Sequence, residues 1–295
     1  MATFETSLKS RLIYVFAISD EWHKDCLKVG ETTLEEDDGN FPLPNSEVLN
    51  KAACDRIDQY TKTAGIAYTL LHTEMTVFFK GGTISSFNDK QVHSVLERSG
   101  VKKKTFDTVK GANEWFCCDL ETIKKAIHAV KNGQNSLNAS EISHTQTPII
   151  FRPEQQAAID KTKKQFKKGS QMLWNAKMRF GKTLCALRVA RDLDMRRTII
   201  LTHRPVVDEG WFEDFGKIFY DRTDYHYGSR TKGEDFDSLE RLAKKGGKYV
   251  YFASMQDMRG AQLVGGKFDK NNEVFSTEWD FLIVDEAHEG TRTEL

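Results

Sequence analysis

The stretch at residues 174–187, "WNAKMRFGKTLCAL", decides the fold, and its parts pull in two directions. Gly181-Lys182-Thr183 at the head of a helical apolar pattern suits a phosphate-binding turn. Such a turn points backbone N–H groups and a helix dipole at the anion. Lys182 then reaches the β- and γ-phosphates, and the Thr183 hydroxyl holds magnesium. Yet Ala176 stands where the turn has its first glycine, and Arg179 and Phe180 precede the last one. Two readings are open here: a nucleotide site with a variant loop, or an incidental Gly-Lys-Thr on a helix.

The neighbouring sequence separates them. "QMLWN" (171–175) reads as a strand, "AKMRFG" (176–181) as the turn and 182–194 as a helix. A helix over 153–168 precedes them, and strands over 198–202, 248–253 and 280–284 follow. Strands alternating with helices predict a parallel, doubly wound α/β sheet. The last strand lies in "WDFLIVDEAHEG", an apolar run ending in Asp285-Glu286-Ala287-His288. An acid at a strand's C-terminal end supplies the second magnesium contact, and Glu286 beside it orients and deprotonates the attacking water. With that partner downstream, the variant loop reads as a nucleotide site.

These motifs, in this order, resemble the superfamily 2 helicases and translocases, in particular the restriction-enzyme and DEAD/DEAH-type branches. The resemblance covers about 148–295 and implies a RecA-like P-loop domain that takes ATP and Mg²⁺. "FRPEQQAAI" is similar to the adenine-reading motif, with Gln155 on the base edge and Phe151 and Arg152 nearby. The loop residues Ala176, Lys177, Met178, Arg179, Phe180 and Gly181 correspond to motif I, together with Lys182 and Thr183. "TIILTHRPVVDEGWFEDF" is similar to motif Ia, which implies that Thr202, His203 and Arg204 lie near a nucleic-acid backbone. "VYFASMQD" resembles the later Ser/Thr–Gln motif, with Ser254 and Gln256. Motif III, the second RecA-like domain and its arginine finger find no room before Leu295. The expectation is a truncated motor that binds ATP and turns it over slowly.

The first half has a different rhythm. "RLIYVFAIS" (11–19) and "CLKVGET" (26–32) read as strands, and Ser46 as the cap of the helix "EVLNKAACDRIDQY". "IAYTLLHTEMTVFF" (66–79) reads as one long strand closed by Gly81-Gly82. "DKQVHSVLERSG" and "DLETIKKAIHAVKNG" read as helices with acidic starts and glycine ends. This predicts a small α+β domain over 1–132, a polar linker over 133–148 and the ATP-binding domain over 149–295.

"LIYVFAI" followed by "LKVGET" resembles the GIY-YIG nucleases, with Lys28 where the second tyrosine is usual. The resemblance implies Tyr14 as the base, its pKa lowered by cations such as Lys28. It places Arg56 on the phosphate, Tyr60 one turn along the same helix face, and Glu114 on magnesium. Phosphodiester hydrolysis needs these types: a base for water, a divalent ion and a cation on the developing charge. His93, with Asp89 one turn before it, is a further candidate contact or a structural histidine.

Composition sets the outer limits. Lys+Arg and Asp+Glu are both 43 and the net charge is zero, yet residues 152–200 hold 13 Lys/Arg against 4 Asp/Glu. That block suits polyphosphate or nucleic acid, or is a solvated helix face. Residues 1–60 reverse the balance, with 6 against 12, and "ETTLEEDD" (31–38) argues against a uniformly DNA-hugging surface. Cys26, Cys54, Cys117, Cys118 and Cys185 show no CxxC spacing, and the sequence has no apolar leader or membrane-length run. The expected partner is double-stranded DNA in the cytoplasm, with no membrane. Open alternatives are a non-catalytic targeting module ahead of the ATPase, and a non-enzymatic interaction protein.

Overall fold

"RLIYVFAI" combines β-branched and aromatic residues without a break, the composition of a strand covered on both faces. In the computed structural model it is the central strand β1 (Arg11–Ile18), with Leu12, Ile13, Val15 and Phe16 fully buried. The structure describes residues 10–34, 41–106, 114–138, 141–142, 149–177, 179–259, 267 and 271–285. The chain divides into two units, Met1–Leu137 and Asn138–Leu295. Among the described residues no helix is long and apolar enough to cross a membrane.

The first unit continues through β2 (Leu27–Thr33), α1 (Glu47–Thr61), β3 (Tyr68–Met75), β4 (Val77–Lys80), β5 (Thr83–Ser86), α2 (Asp89–Arg98), β6 (Trp115–Phe116) and α3 (Leu120–Asn132). Its main sheet runs β3-β1-β2-β6, each neighbouring pair antiparallel. Alternate residues of β1 face opposite sides. Leu12, Tyr14 and Phe16 meet Leu49, Ala53 and Ile57 of α1, which recur every four residues along one helix face. On the other side α2 packs against β2 and α3.

Three local expectations change. The strand expected over 66–79 breaks at Thr76, whose N–H and hydroxyl both donate to the Arg11 carbonyl. Beyond it β4 leaves the sheet and pairs with β5 through Gly81-Gly82, at φ 57° and 81°. Both positions of a two-residue turn of this kind need the left-handed region, which glycine enters without strain. Ser46 does occupy the N-cap of α1, but its hydroxyl is buried with no partner among the described residues, so the expected cap is not made. The caps of α2 and α3 come from Asn88, in a box with Gln91, and from Asp119. Residues 133–137 are packed rather than linker-like: Leu137 is buried and its N–H donates to the Ser99 hydroxyl.

The second unit holds α4 (Pro153–Gln165), α5 (Lys182–Asp192), β7 (Arg197–Thr202), a 3₁₀ turn (Pro205–Val207), α6 (Asp208–Phe219), β8 (Tyr225–Gly228), α7 (Phe236–Lys244), β9 (Lys248–Ser254), α8 (Met255–Met258), α9 (Asn272–Ser276) and β10 (Phe281–Val284). The sheet order is β10-β7-β9-β8, parallel throughout. Ile200, Val250 and Phe252 pack against Trp211, Phe215 and Phe219 of α6. Ile199 and Ala253 meet Phe236 of α7 and Val274 of α9 on the other side. The result is a mixed α/β unit with helices on both faces of a parallel sheet, the arrangement in which such sheets are stable.

The strand expected at 171–175 is not formed. "QMLWN" pairs with no strand, and Leu173 is 85% exposed. Only Trp174 is anchored, by its indole N–H to the Thr162 hydroxyl at 2.8 Å and by packing near Ile159, Cys185 and Val189. Extended sequence becomes a strand only where a neighbour accepts its backbone hydrogen bonds. The described residues offer "QMLWN" none.

Candidate functional site

Each unit gathers residues that the sequence singles out. In the second, Thr202, Ser254 and Asp285 stand at or just past the C-terminal ends of β7, β9 and β10. Thr202 pairs with Ser254 in register, and the Asp285 N–H donates to the Leu201 carbonyl at 2.9 Å. That edge of a parallel sheet is where α/β folds place ligands. Lys182 opens α5, and it lines a cavity of about 1280 Å³ together with Asn175, Ala176 and Asp285. Lys182 makes no ion pair, and neither the Thr183 hydroxyl nor the Asp285 carboxylate makes a hydrogen bond, among the described residues.

The loop before α5 enters the left-handed region twice. Gly181 has φ 86°, and Arg179, at the expected mid-loop glycine, takes φ 60°. A Cβ on residue 181 would sit 2.6 Å from the Gln155 Nε2 atom, so a side chain there would displace the Gln155 amide from the loop. The Phe180 carbonyl accepts from Gln155 Nε2 at 2.7 Å and from Arg152 Nη2 at 2.9 Å. Gln155 Oε1 in turn accepts the Arg152 N–H at 2.8 Å.

That arrangement alters the expected roles. Gln155 is buried, and its amide is committed to the Arg152 backbone and the loop rather than turned toward a base edge. Phe151 packs into the core, with the Arg188 guanidinium 5.7 Å from its ring centroid. Thr202 and Ser254 are buried: the first donates its hydroxyl to the Arg204 carbonyl, the second to Asp257 at the start of α8. Neither is presented for a nucleic-acid contact. Arg204 and Gln256 are exposed, and His203 keeps a buried Nδ1 without a partner among the described residues. Met178, Glu286, Ala287 and His288 lie outside the described residues.

In the first unit the five expected residues converge. Tyr14 on β1 points its hydroxyl to that of Tyr60 on α1, 3.5 Å away. The Lys28 ammonium of β2 lies 4.5 Å from the Tyr60 ring centroid and 3.3 Å from the Glu114 carboxylate beside β6. Arg56 is exposed on α1, where it donates to Gln59 at 2.7 Å, and its charge acts on both tyrosines.

The electrostatics correct one expectation. Tyr14 has its pKa raised, not lowered: burial dominates, and the hydrogen bond to Tyr60 and the charge of Arg56 offset it only in part. Tyr60 is raised by the same cause, then by Tyr14 itself. Lys28 neutralises Glu114 instead of acidifying Tyr14. His93 is taken up by structure, its Nε2–H donating to the Val29 carbonyl at 2.9 Å with its ring 5.1 Å from Phe116. Asp89 starts α2, with its N–H on the Glu31 carboxylate. Among the described residues no three His, Cys, Asp or Glu side chains cluster to hold a metal. A divalent ion placed there would find a single carboxylate among the described residues, that of Glu114.

One contributor carries a signal that composition alone does not show. Gly30 lies directly across from Tyr14 in the β1–β2 register. A Cβ on residue 30 would fall 2.6 Å from the Tyr14 hydroxyl, so the ring occupies the space that a side chain would take.

Residues 148–294 match the family described as type III restriction enzyme, res subunit. Over 155 residues the chain is 29% identical to a Mycoplasma pneumoniae (strain ATCC 29342 / M129 / Subtype 1) protein. Its name assigns it, provisionally, as the C-terminus of the type II restriction enzyme and methyltransferase RM.MpnORF110P. The matched stretch is 49% of this chain and 21% of that protein. The second half of the chain thus carries a res-subunit domain of the helicase-like superfamily 2 kind, with a restriction-enzyme homologue.

Proposed function

We propose that residues 149–295 are the ATP-binding domain of a restriction-type, DNA-acting motor, and that the preceding unit is a GIY-YIG-type endonuclease. For the motor, the observation that carries the reading is one cavity whose lining includes Asp285 and Lys182, which makes no ion pair among the described residues. Lys182 would bind the β- and γ-phosphates, and Thr183 and Asp285 would hold Mg²⁺, which would supply charge neutralisation on the phosphates. Arg152 and Gln155 brace the loop through the Phe180 carbonyl. Double-stranded DNA is the substrate, met from the sheet's C-terminal side by Arg204 and Gln256. Calorimetric titration with a non-hydrolysable ATP analogue and magnesium tests this. Lys182→Ala is expected to weaken binding by about 2–3 kcal/mol, the scale of losing a charged hydrogen-bond partner. Undiminished binding would sink the assignment.

For the first unit, the convergence of Tyr14, Lys28, Arg56, Tyr60 and Glu114 on one face supports phosphodiester cleavage. Arg56 would take the scissile phosphate, Glu114 would hold Mg²⁺ once free of Lys28, and the neutral Tyr14 hydroxyl would donate a hydrogen bond to a phosphate oxygen. Full-length protein with magnesium or manganese and no ATP is expected to nick DNA, and Glu114→Ala to abolish nicking. A second reading, a targeting module without catalysis, is favoured by the Lys28–Glu114 pair and by the raised pKa of Tyr14. DNA binding with no nicking under either metal selects it.

A further inference from the structure

Cys26 and Cys117 are 91 positions apart, yet their Sγ atoms lie 2.9 Å from each other. The sheet brings them together. Leu27 pairs with Phe116 between β2 and β6, so Cys26 and Cys117 flank that pair as the next opposed positions of an antiparallel ladder. Directly opposed residues there hold their Cβ atoms about 4.5–5.5 Å apart, at the edge of disulfide reach. Both backbones are pinned: the Cys26 N–H donates to the His23 carbonyl at 3.1 Å, and the Cys117 N–H to Lys102 at 2.8 Å. Access is divided, with Cys26 buried and Cys117 exposed.

We propose that Cys26 and Cys117 form a modification site, which a low-molecular-weight disulfide oxidises to a cross-strand disulfide that clamps β6 onto β2. The exposed Cys117 thiolate attacks one sulfur of the small disulfide, whose S–S bond breaks and releases one small thiolate. Cys26 Sγ then attacks the Cys117 sulfur of the mixed disulfide, and its proton passes to the second small thiolate as that leaves. Two protein thiols lose two electrons, and one small disulfide becomes two thiols. The order follows from access and charge. Burial, the first cause, and the adjacent Cys117 sulfur push the Cys26 thiol up to about 12, so it resolves rather than initiates. Cys118 is also pushed up to about 12, by burial and then Asp119, and it makes no sulfur contact of this kind among the described residues.

The clamp falls on a weak point. The strand β6 is two residues long, and it follows directly on Glu114, whose carbonyl accepts the Val29 N–H at 3.1 Å. A covalent link one residue past β6 restrains the opening that frees Glu114 from Lys28, whether or not the unit cuts DNA.

The test treats full-length protein with glutathione disulfide and reads peptide mass and amide hydrogen exchange. The expected product is a Cys26–Cys117 cross-link, two hydrogens lighter and reversed by dithiothreitol. Exchange at 114–117 and 27–29 is expected to slow by about tenfold or more, as for suppression of a local opening. Cys117→Ser, at an exposed position, is expected to abolish both effects, and Cys118→Ser to leave both intact. A cross-link to Cys118, a stable Cys117 adduct that Cys26 never resolves, or a cross-link without slower exchange at 114–117 would each overturn the proposal.

Discussion

Replacing Gly30 by alanine tests whether Tyr14 is held where the first-unit site needs it. The new methyl group would meet the Tyr14 hydroxyl oxygen at 2.6 Å, its Cζ at 2.7 Å and its Cε2 at 3.0 Å. Ordinary contacts are about 3.5–4.0 Å, so the overlap approaches 1 Å along one whole edge of the ring. The ring cannot swing away cheaply. Tyr14 is 3% exposed and packed among Leu12, Phe16, Leu49 and Ala53. Overpacking of this kind costs about 1–3 kcal/mol. With Tyr14→Ala the obstacle is gone, and alanine for glycine in a strand gains about 0.5–1 kcal/mol. The two substitutions are therefore expected to couple by about 1.5–4 kcal/mol, with the second cancelling the cost of the first. Hydrogen exchange of β1 and β2 peptides in the four proteins of the cycle measures it, about 1.4 kcal/mol per tenfold change in protection. Additivity within about 0.5 kcal/mol would show that Gly30 is not shaped by the tyrosine, and the positioning argument would fail.

Other outcomes follow from the same geometry. Arg179 sits at φ 60°, where a residue with a Cβ is strained by about 1–2 kcal/mol, so Arg179→Gly is expected to raise the second unit's stability by about 0.5–1 kcal/mol once glycine's larger entropy loss is counted. Arg179→Val, branched at Cβ, is expected to lower it; a thermal melt in which both variants shift the same way would contradict the strain. Tyr225, Tyr227 and Tyr249 all have raised pKa values, burial being the first cause in each. Groups raised in the folded state contribute stability below their unfolded pKa and lose it as pH rises through the folded value. The second unit is therefore expected to weaken from about pH 10 upward, where unfolded tyrosine ionises first. Phenolate absorbance that rises before circular dichroism changes would show these rings titrating in the folded state.

The elements legible in the sequence are those whose cause is local. The apolar runs at 11–18, 248–254 and 281–284 became strands, and Gly133, at φ 71°, ends α3. The parallel sheet followed from helices alternating with strands. What stayed hidden depends on partners distant in the chain. "QMLWN" has strand composition but finds no ladder among the described residues, whereas the two residues of β6 pair only because β2 presents an edge to them. The break at Thr76 rests on the Arg11 carbonyl, 65 positions away. No window around either residue contains that information.

The sites divide along a related line, set by the cost of burying polar groups. A side chain shut away from water must find a partner, and the nearest ones are backbone. Gln155, Thr202, Ser254 and His93 each match the residue type that chemistry would want, yet each is buried and bonded to backbone or to a capping carboxylate. Sequence registers the type and not the burial, so it reads these braces as contacts. Lys182 makes no ion pair among the described residues, which leaves it free for the role proposed for it. Arg152 and Gln155 both donate to the Phe180 carbonyl, two residues before Lys182. They fix the direction in which the loop enters α5 without spending the lysine. Gln155→Ala is then expected to weaken nucleotide binding by freeing the loop, and to do so equally for adenine and guanine nucleotides. A loss confined to adenine nucleotides would show instead that Gln155 turns from the loop to read the base.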